Sequence, residues 1–229
     1  MSPRLSILGA SGSLGSLLQA SLRPPPNPLL RAPTTSLSIS VSSGPFVTFP
    51  SSPPLPPSDL VVVTTKSYDV ISAVSTLPPR SKVLVLCNGL VPLLSDLRRC
   101  SNVGRLYVGT TSVGARKLSD GGTLDDRAMR RIEVAENGRG ATVLGQLGGR
   151  DGDGGDDDLA FFAGTMNDAG FATKVMAEGE VLKALWLKMF VNCLVNPGCA
   201  VRGVPNGKAV LEPKLVEEVR RVRGWVCLS

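Results

Sequence analysis

The sequence predicts an α/β fold, with a parallel sheet flanked by helices and a helical segment behind it. Three observations predict it. Runs such as DLVVVTTK and KVLVLCN are typical of buried parallel strands. Runs with helical spacing, SYDVISAVSTL and GLVPLLSDLRR, follow them. From about residue 158 the pattern is helical (DLAFFAGTMNDAG, EGEVLKALWLKMFVNCLVN), so we expect two domains, at 1–157 and 158–229.

The remaining elements follow in chain order. RLSIL at 4–8 is predicted to be a short strand. A glycine-rich turn follows it, and SLLQASL after that turn is predicted to be a helix. Residues 23–58 are rich in Pro and Ser, so NPLLR, SLSISV and PFVTF are expected to be loops and edge strands. RLYVGTTSV, RIEVAE and ATVLGQL are further strands, and an amphipathic helix begins near Glu212. GGRDGDGGDDD is expected to be a solvated loop, because it lacks the spacing and terminal Glu of an EF-hand.

Composition and charge limit the kinds of molecule that the protein is expected to bind. The 229 residues are 42% hydrophobic, enough for a real core. No uninterrupted apolar run reaches about 18 residues, so the sequence predicts no transmembrane helix and no membrane partner. Residues 1–118 carry 11 basic and 3 acidic side chains, which suggests an anionic ligand. Because the basic residues are scattered without interleaved aromatics, nucleic acid is not expected.

The chain has no histidine, and this limits its chemistry. Ser-His-Asp and Cys-His nucleophiles and His-ligated metals are excluded, and we expect no metal site. Proton transfer must use Lys, Asp, Glu, Tyr or Cys. The five cysteines form no C-x-x-C pair and are expected to be reduced, buried thiols, so the predicted location is the cytoplasm. The first strand begins too near Met1 for a signal peptide.

A glycine-rich turn follows the first strand and opens the first helix. Its spacing is G-x-x-G-x-x-G, the context in which a Rossmann-type domain binds a dinucleotide pyrophosphate at a helix N-terminus. An ordinary flexible turn is the alternative. The candidate cofactor-binding residues here are Gly9, Ala10, Ser11, Gly12, Ser13, Leu14 and Gly15.

The charges near this turn favour NADP over NAD. An NAD site places a carboxylate at the end of the second strand, yet no Asp or Glu occurs before Asp59. Arg31 ends the strand-like NPLLR, where a guanidinium can meet the 2′-phosphate of NADP. A surface arginine in a loop is the alternative.

The helix predicted at 178–196 is apolar on nearly all sides, so we expect it to be buried. A polar row lies on this helix. Lys188, Asn192 and Asn196 are spaced i, i+4 and i+8, within about 80° of one another. Burying these groups is costly unless a ligand or an internal hydrogen-bond network satisfies them. We favour a ligand-facing row, in which a lysine can protonate the alkoxide that forms when a carbonyl is reduced.

Several segments, in order along most of the chain, resemble the ketopantoate reductase (2-dehydropantoate 2-reductase) family. They are ILGASGSLGSLL, VVVTTKSYDV, LCNGL, VGTTSVGA and, most specifically, WLKMFVNCLVNP with PNG behind it. The resemblance implies that Lys188 is the general acid and that Asn192 and Asn196 bind substrate. It also implies that Asn88 lies beside nicotinamide and substrate, Lys66 near the cofactor at the cleft mouth, and Arg31 at the 2′-phosphate.

The function that this resemblance implies is hydride transfer from NADPH to 2-dehydropantoate, a 2-keto acid, giving pantoate for pantothenate and coenzyme A biosynthesis. The glycine turn is one residue longer than the family's usual form. The family's helical domain continues further and supplies a substrate-binding Ser and an active-site Glu, so we expect a truncated domain and a possible homo-oligomer. The alternatives are a catalytically impaired NADP-binding protein, a related reductase of another 2-keto acid, and an incomplete gene model.

Overall fold

The computed structural model describes residues 5–8, 13–21, 36–40, 46–49, 60–117, 129–134, 140–148, 157–168, 171–204, 208, 213–214, 216–217 and 221. The strands are β1 Leu5–Leu8, β2 Ser36–Ser40, β3 Phe46–Phe49, β4 Leu60–Val63, β5 Ser81–Leu86, β6 Val103–Thr111, β7 Ala115–Lys117, β8 Met129–Val134, β9 Ala141–Gln146 and β10 Ala172–Val175. The helices are α1 Ser13–Ser21, α2 Ser67–Ser75, α3 Leu94–Arg99, α4 Asp157–Asp168, α5 Glu178–Phe190 and α6 Asn196–Arg202. A 3-10 turn at Val91–Leu93 precedes α3, and a π-helical turn at Val191–Val195 joins α5 to α6.

A seven-stranded sheet in the order β10-β9-β6-β5-β4-β1-β3 forms the centre of the fold. Strands β1, β4, β5 and β6 are parallel, as the alternating pattern predicts, and the fold is Rossmann-like. The sheet as a whole is mixed, because β3 pairs antiparallel with β1 and β9 pairs antiparallel with β6. The expectation of an edge strand in PFVTF is confirmed. Strands β2, β8 and β7 form a separate antiparallel sheet beside α1, which the sequence did not predict.

The core follows from the two-residue alternation of the central strands. Leu60, Val62, Leu84 and Leu86 share one cluster with apolar side chains of α1 and α4, among them Leu17, Leu18, Leu159 and Phe162. The alternate residues of β4 and β5 are buried as well, and α2 contacts β4. Strands buried on both faces need apolar residues at every position, which explains the continuous aliphatic runs.

The chain separates into two compact units, Met1–Leu182 and Lys183–Ser229. Within the first unit, β10 pairs with β9, and α4 contributes to the sheet's core. Helix α4 and strand β10 therefore belong with the sheet, and the boundary predicted at 157/158 does not coincide with this division. Strand β10 was not predicted, since its four residues carry only one buried side chain.

The helix Glu178–Arg202 departs from two expectations. It was expected to be buried on nearly all sides, but Trp186 is 49% and Leu187 is 65% exposed. It is also long and apolar enough to cross a membrane by length and composition, with a mean hydropathy of 1.3 over 18 residues, of which 11% are buried. The search for an uninterrupted apolar run did not find this helix, because isolated charged residues interrupt its apolar sequence. The core helix of a soluble protein meets the same length and composition test.

Candidate functional site at the carboxyl edge of the sheet

The carboxyl ends of β1, β4, β5 and β6 lie at one edge of the sheet. Strand β1 has β4 on one side and β3 on the other, so the chain order changes direction between β1 and β4. Ligands of open α/β sheets bind outside the carboxyl ends at such a switch point. The turns after β1, β4 and β5 carry the glycine motif, Lys66 and Asn88.

Thr64 holds the ends of β1 and β4 together. Its backbone N–H donates to the Leu8 carbonyl at 2.8 Å, and its hydroxyl donates to the same oxygen at 3.1 Å. Leu8 is the last residue of β1, directly before the glycine motif. These two hydrogen bonds therefore fix where the glycine turn leaves the sheet.

The glycine motif is described only from its last three residues. Ser13 begins α1, Leu14 packs against the core, and Gly15 is buried. Residues 9–12, and likewise Arg31, lie outside the described residues. Helix α1 has no acidic residue in its first turn, so the partial positive charge of its N-terminus is not offset there. This end of α1 suits an anionic group such as a pyrophosphate.

Lys66 and Asn88 lie in two turns at this edge. Lys66 is exposed and directly precedes α2, and its carbonyl accepts a hydrogen bond from the Asp69 N–H at 2.9 Å. Asn88 is exposed after β5, and Gly89 behind it has a φ of +72° that favours glycine. A Cβ at Gly89 would lie 3.5 Å from the Ser67 hydroxyl, so the turn after β5 packs against the first residue of α2.

The described cysteines do not supply a reactive thiol to this edge. Burial raises the pKa of Cys87 to about 11, so its thiol is protonated at neutral pH. All four described cysteines are free, but only Cys199 is fully buried and Cys193 is exposed, so the prediction of buried thiols is wrong for Cys193. In the described ranges no three Cys, Asp or Glu side chains lie close enough to hold a metal ion.

In the second unit, the described polar row centres on an asparagine pair. Asn196 Nδ2 donates to Asn192 Oδ1 at 3.2 Å, and both side chains are half-buried. Lys188 is half-buried one turn earlier, not enclosed as the sequence suggested. The intervening turn Val191–Val195 is π-helical, and its i→i+5 hydrogen bonds widen the turn. In an α-helix, residues four apart diverge by about 40°; the wider turn reduces this divergence and straightens the row.

Within the first unit, the first turn of α5 is held against the sheet by several contacts. Glu178 Oε1 accepts from Arg98 Nη2 at 2.7 Å, and Glu178 Oε2 accepts from the Gly148 N–H at 3.0 Å. Val181 is fully buried, and its Cγ1 lies 2.7 Å from where a Cβ at Gly145 would be. Strand β9 and this helical turn therefore approach each other as closely as a glycine allows.

Two polar groups that sequence reasoning missed are buried hydroxyls. Among the described residues, Thr65 Oγ1 and the Tyr107 hydroxyl are buried without a hydrogen-bond partner. Thr65 follows β4 directly, whereas Tyr107 lies within β6 in the core cluster. No sequence signal separates Thr65 from its neighbour Thr64, since only the folded geometry shows which hydroxyl is paired.

The parallel strands and the switch point between β1 and β4 define a Rossmann-like α/β protein. The family model described as ketopantoate reductase PanE/ApbA matches residues 6–148. The chain belongs to the ketopantoate reductase PanE/ApbA family.

Individual relatives agree with this assignment. The chain is 30% identical over 171 residues to the 2-dehydropantoate 2-reductase of Shigella flexneri, covering 71% of this chain and 48% of the relative. It is 32% identical over 175 residues to that of Halobacterium salinarum, covering 71% and 51%. The crystal structure of a probable 2-dehydropantoate 2-reductase from Bacillus subtilis matches with a TM-score of 0.50 at 25% identity, covering 72% of this chain and 51% of that one. The chain spans about half the length of the curated relatives it matches.

Proposed function

We propose that this chain takes part in the NADPH-dependent reduction of 2-dehydropantoate to pantoate. The observation that carries the proposal is the polar row on the helix, where Lys188 stands one turn before the hydrogen-bonded pair Asn192 and Asn196. Family membership supports it over residues 6–148, a range that ends before this row begins. The row therefore adds support from a part of the chain that the family model does not cover.

Described features of the first unit fit a nicotinamide dinucleotide. The N-terminus of α1 suits the pyrophosphate, and a buried hydroxyl at the switch point has no partner among the described residues. When bound, the cofactor supplies the hydride. Arg31 is proposed to hold the 2′-phosphate, Lys66 to lie near the cofactor, and Asn88 to lie beside nicotinamide and substrate.

The roles of the polar row follow from its chemistry. Lys188 would give a proton to the ketone oxygen as that oxygen gains charge. The amide oxygen of Asn192 accepts from Asn196. The amide nitrogen of Asn192 is therefore oriented as a donor, suited to an oxygen atom of the 2-keto acid. Ordering the substrate in this way contributes to catalysis because the reacting atoms are held in place before reaction.

The test is a steady-state assay of NADPH oxidation with 2-dehydropantoate. Lys188→Met should lower kcat by about 10²-fold or more, the usual size of a lost general acid, while NADPH affinity stays close to that of the parent. Lys183→Met is the matched control, because Lys183 is an exposed lysine earlier on the same helix. An unchanged kcat in Lys188→Met would remove the proposed role.

A second candidate is an NADP-binding protein without turnover, favoured by the match of the family model to residues 6–148, which precede the polar row. NADPH binding with no oxidation in the presence of 2-dehydropantoate would select it. Turnover of a different 2-keto acid in a substrate panel would select a related reductase.

The proposal includes a cytoplasmic location and self-association. The four free thiols among the described residues support a reducing compartment. The exposed apolar side chains of α5 support association between copies of the chain.

A further inference from the structure

Thr65 carries an unpaired hydroxyl in the part of the sheet where a ligand is expected. Its Oγ1 is buried and has no hydrogen-bond partner among the described residues, although the residue as a whole is only half-buried. Its neighbour Thr64 donates hydrogen bonds from both its N–H and its hydroxyl to the Leu8 carbonyl oxygen. The two threonines therefore differ in their surroundings. Thr64 joins strands β1 and β4, whereas the Thr65 hydroxyl has no hydrogen-bond partner among the described residues.

A buried hydroxyl without a partner lowers stability relative to a methyl group of the same shape. Nearly all buried polar groups in native proteins are paired, so an exception points to a partner from outside the chain. The position agrees with this, because Thr65 directly follows β4 and β4 lies beside β1 at the switch point. Tyr107 is unpaired too, but it lies inside β6 and is wholly buried in the core.

We propose that Thr65 is a cofactor-binding residue whose hydroxyl pairs with an oxygen of the sugar–phosphate portion of the nucleotide. The inference rests on the proposed NADPH function. A rotation of about 120° about the Cα–Cβ bond moves the methyl group of threonine into the position that the hydroxyl held, and moves the hydroxyl to the position of the Cβ hydrogen. A bound nucleotide can therefore draw the hydroxyl out while the methyl takes the buried position. Such a rotation pairs the hydroxyl and removes the unpaired buried group in one step.

The test combines NADPH affinity with stability in the full chain. Thr65→Val replaces the hydroxyl by a methyl of nearly the same shape. It should raise the Kd for NADPH by about fivefold to thirtyfold, the usual effect of losing one hydrogen bond. Its unfolding midpoint should equal or exceed that of the parent, because an unpaired buried group has been removed. Thr65→Ser keeps the hydroxyl and should bind NADPH within about twofold of the parent.

Tyr107→Phe is the matched control, since it removes the other unpaired buried hydroxyl and should leave NADPH affinity unchanged. Parent-like affinity in Thr65→Val would overturn the inference and leave the proposed function intact. Equal losses of affinity in Thr65→Val and Thr65→Ser, or a lowered unfolding midpoint in Thr65→Val, would also overturn it, because packing would then be the cause. A parent chain that binds no NADPH would overturn both the inference and the proposed function.

Discussion

Gly145→Ala tests how closely the first turn of α5 packs on the sheet. A Cβ at Gly145 would lie 2.7 Å from Val181 Cγ1 and 2.8 Å from the Met176 carbonyl oxygen. Both distances are below any ordinary carbon contact, and the second involves backbone that cannot rotate away. Met176 is held in turn, since its N–H donates to the Leu144 carbonyl at 2.8 Å. The added methyl must therefore displace the helical turn from β9.

Overpacking of this kind costs about 1–3 kcal/mol. For a chain of this length each kcal/mol lowers Tm by about 2–4 °C, so Gly145→Ala should lower it by about 2–12 °C. Circular dichroism during heating measures the change. Gly164→Ala is the control, because Gly164 is exposed in α4 and a Cβ there would meet nothing within 4 Å. That variant should gain about 0.5–1 kcal/mol, since alanine favours helix over glycine. A Gly145→Ala protein as stable as the Gly164→Ala protein would refute the close contact between β9 and α5.

Two further predictions concern cofactor preference and the exposed helix. NADPH should bind at least about tenfold more tightly than NADH, and Arg31→Ala should erase the difference in fluorescence titrations; equal affinities in the parent would show that Arg31 does not contact the 2′-phosphate. Because Trp186 and Leu187 are largely exposed on the apolar helix, the chain should self-associate or bind a hydrophobic dye. Size-exclusion chromatography and dye fluorescence measure this, and a monodisperse, dye-silent monomer would contradict it.

The sequence predicted best those elements whose pattern reflects burial on both faces. Strands β4 and β5 are continuous aliphatic runs because residues such as Val61 and Val62 are both fully buried. Strand β10 was not predictable, because Ala172–Val175 is short and largely exposed and is a strand only through its pairing with β9. The prediction that α5 is buried was wrong for a related reason. An apolar helix surface shows that other elements can pack on it, but it does not show which elements do so.

The candidate site also combines features that the sequence predicted with features that only the folded structure shows. Spacing alone predicted that Asn192 and Asn196 lie on one face, and their hydrogen bond confirms it. Spacing could not predict the π-helical turn that contains Asn192, because the width of a helix depends on its backbone hydrogen bonds. The unpaired hydroxyl of Thr65 also depends on three-dimensional surroundings. The roles of Lys188, Lys66, Asn88 and Arg31 stay predictions.

The π-helical turn Val191–Val195 holds more residues per turn than an α-helix, and this affects how the polar row responds to a change in chain length. If one residue is lost from the three that follow Asn192, the turn can return to α-helical geometry. Lys188 and Asn196 are then separated by seven residue steps, about 700° around an α-helix and about 20° short of two full turns. Both side chains therefore stay on one face of the helix. Variation between Asn192 and Asn196 should include the loss of one residue as well as replacements, whereas Asn192 itself should be retained for its proposed contact with the substrate.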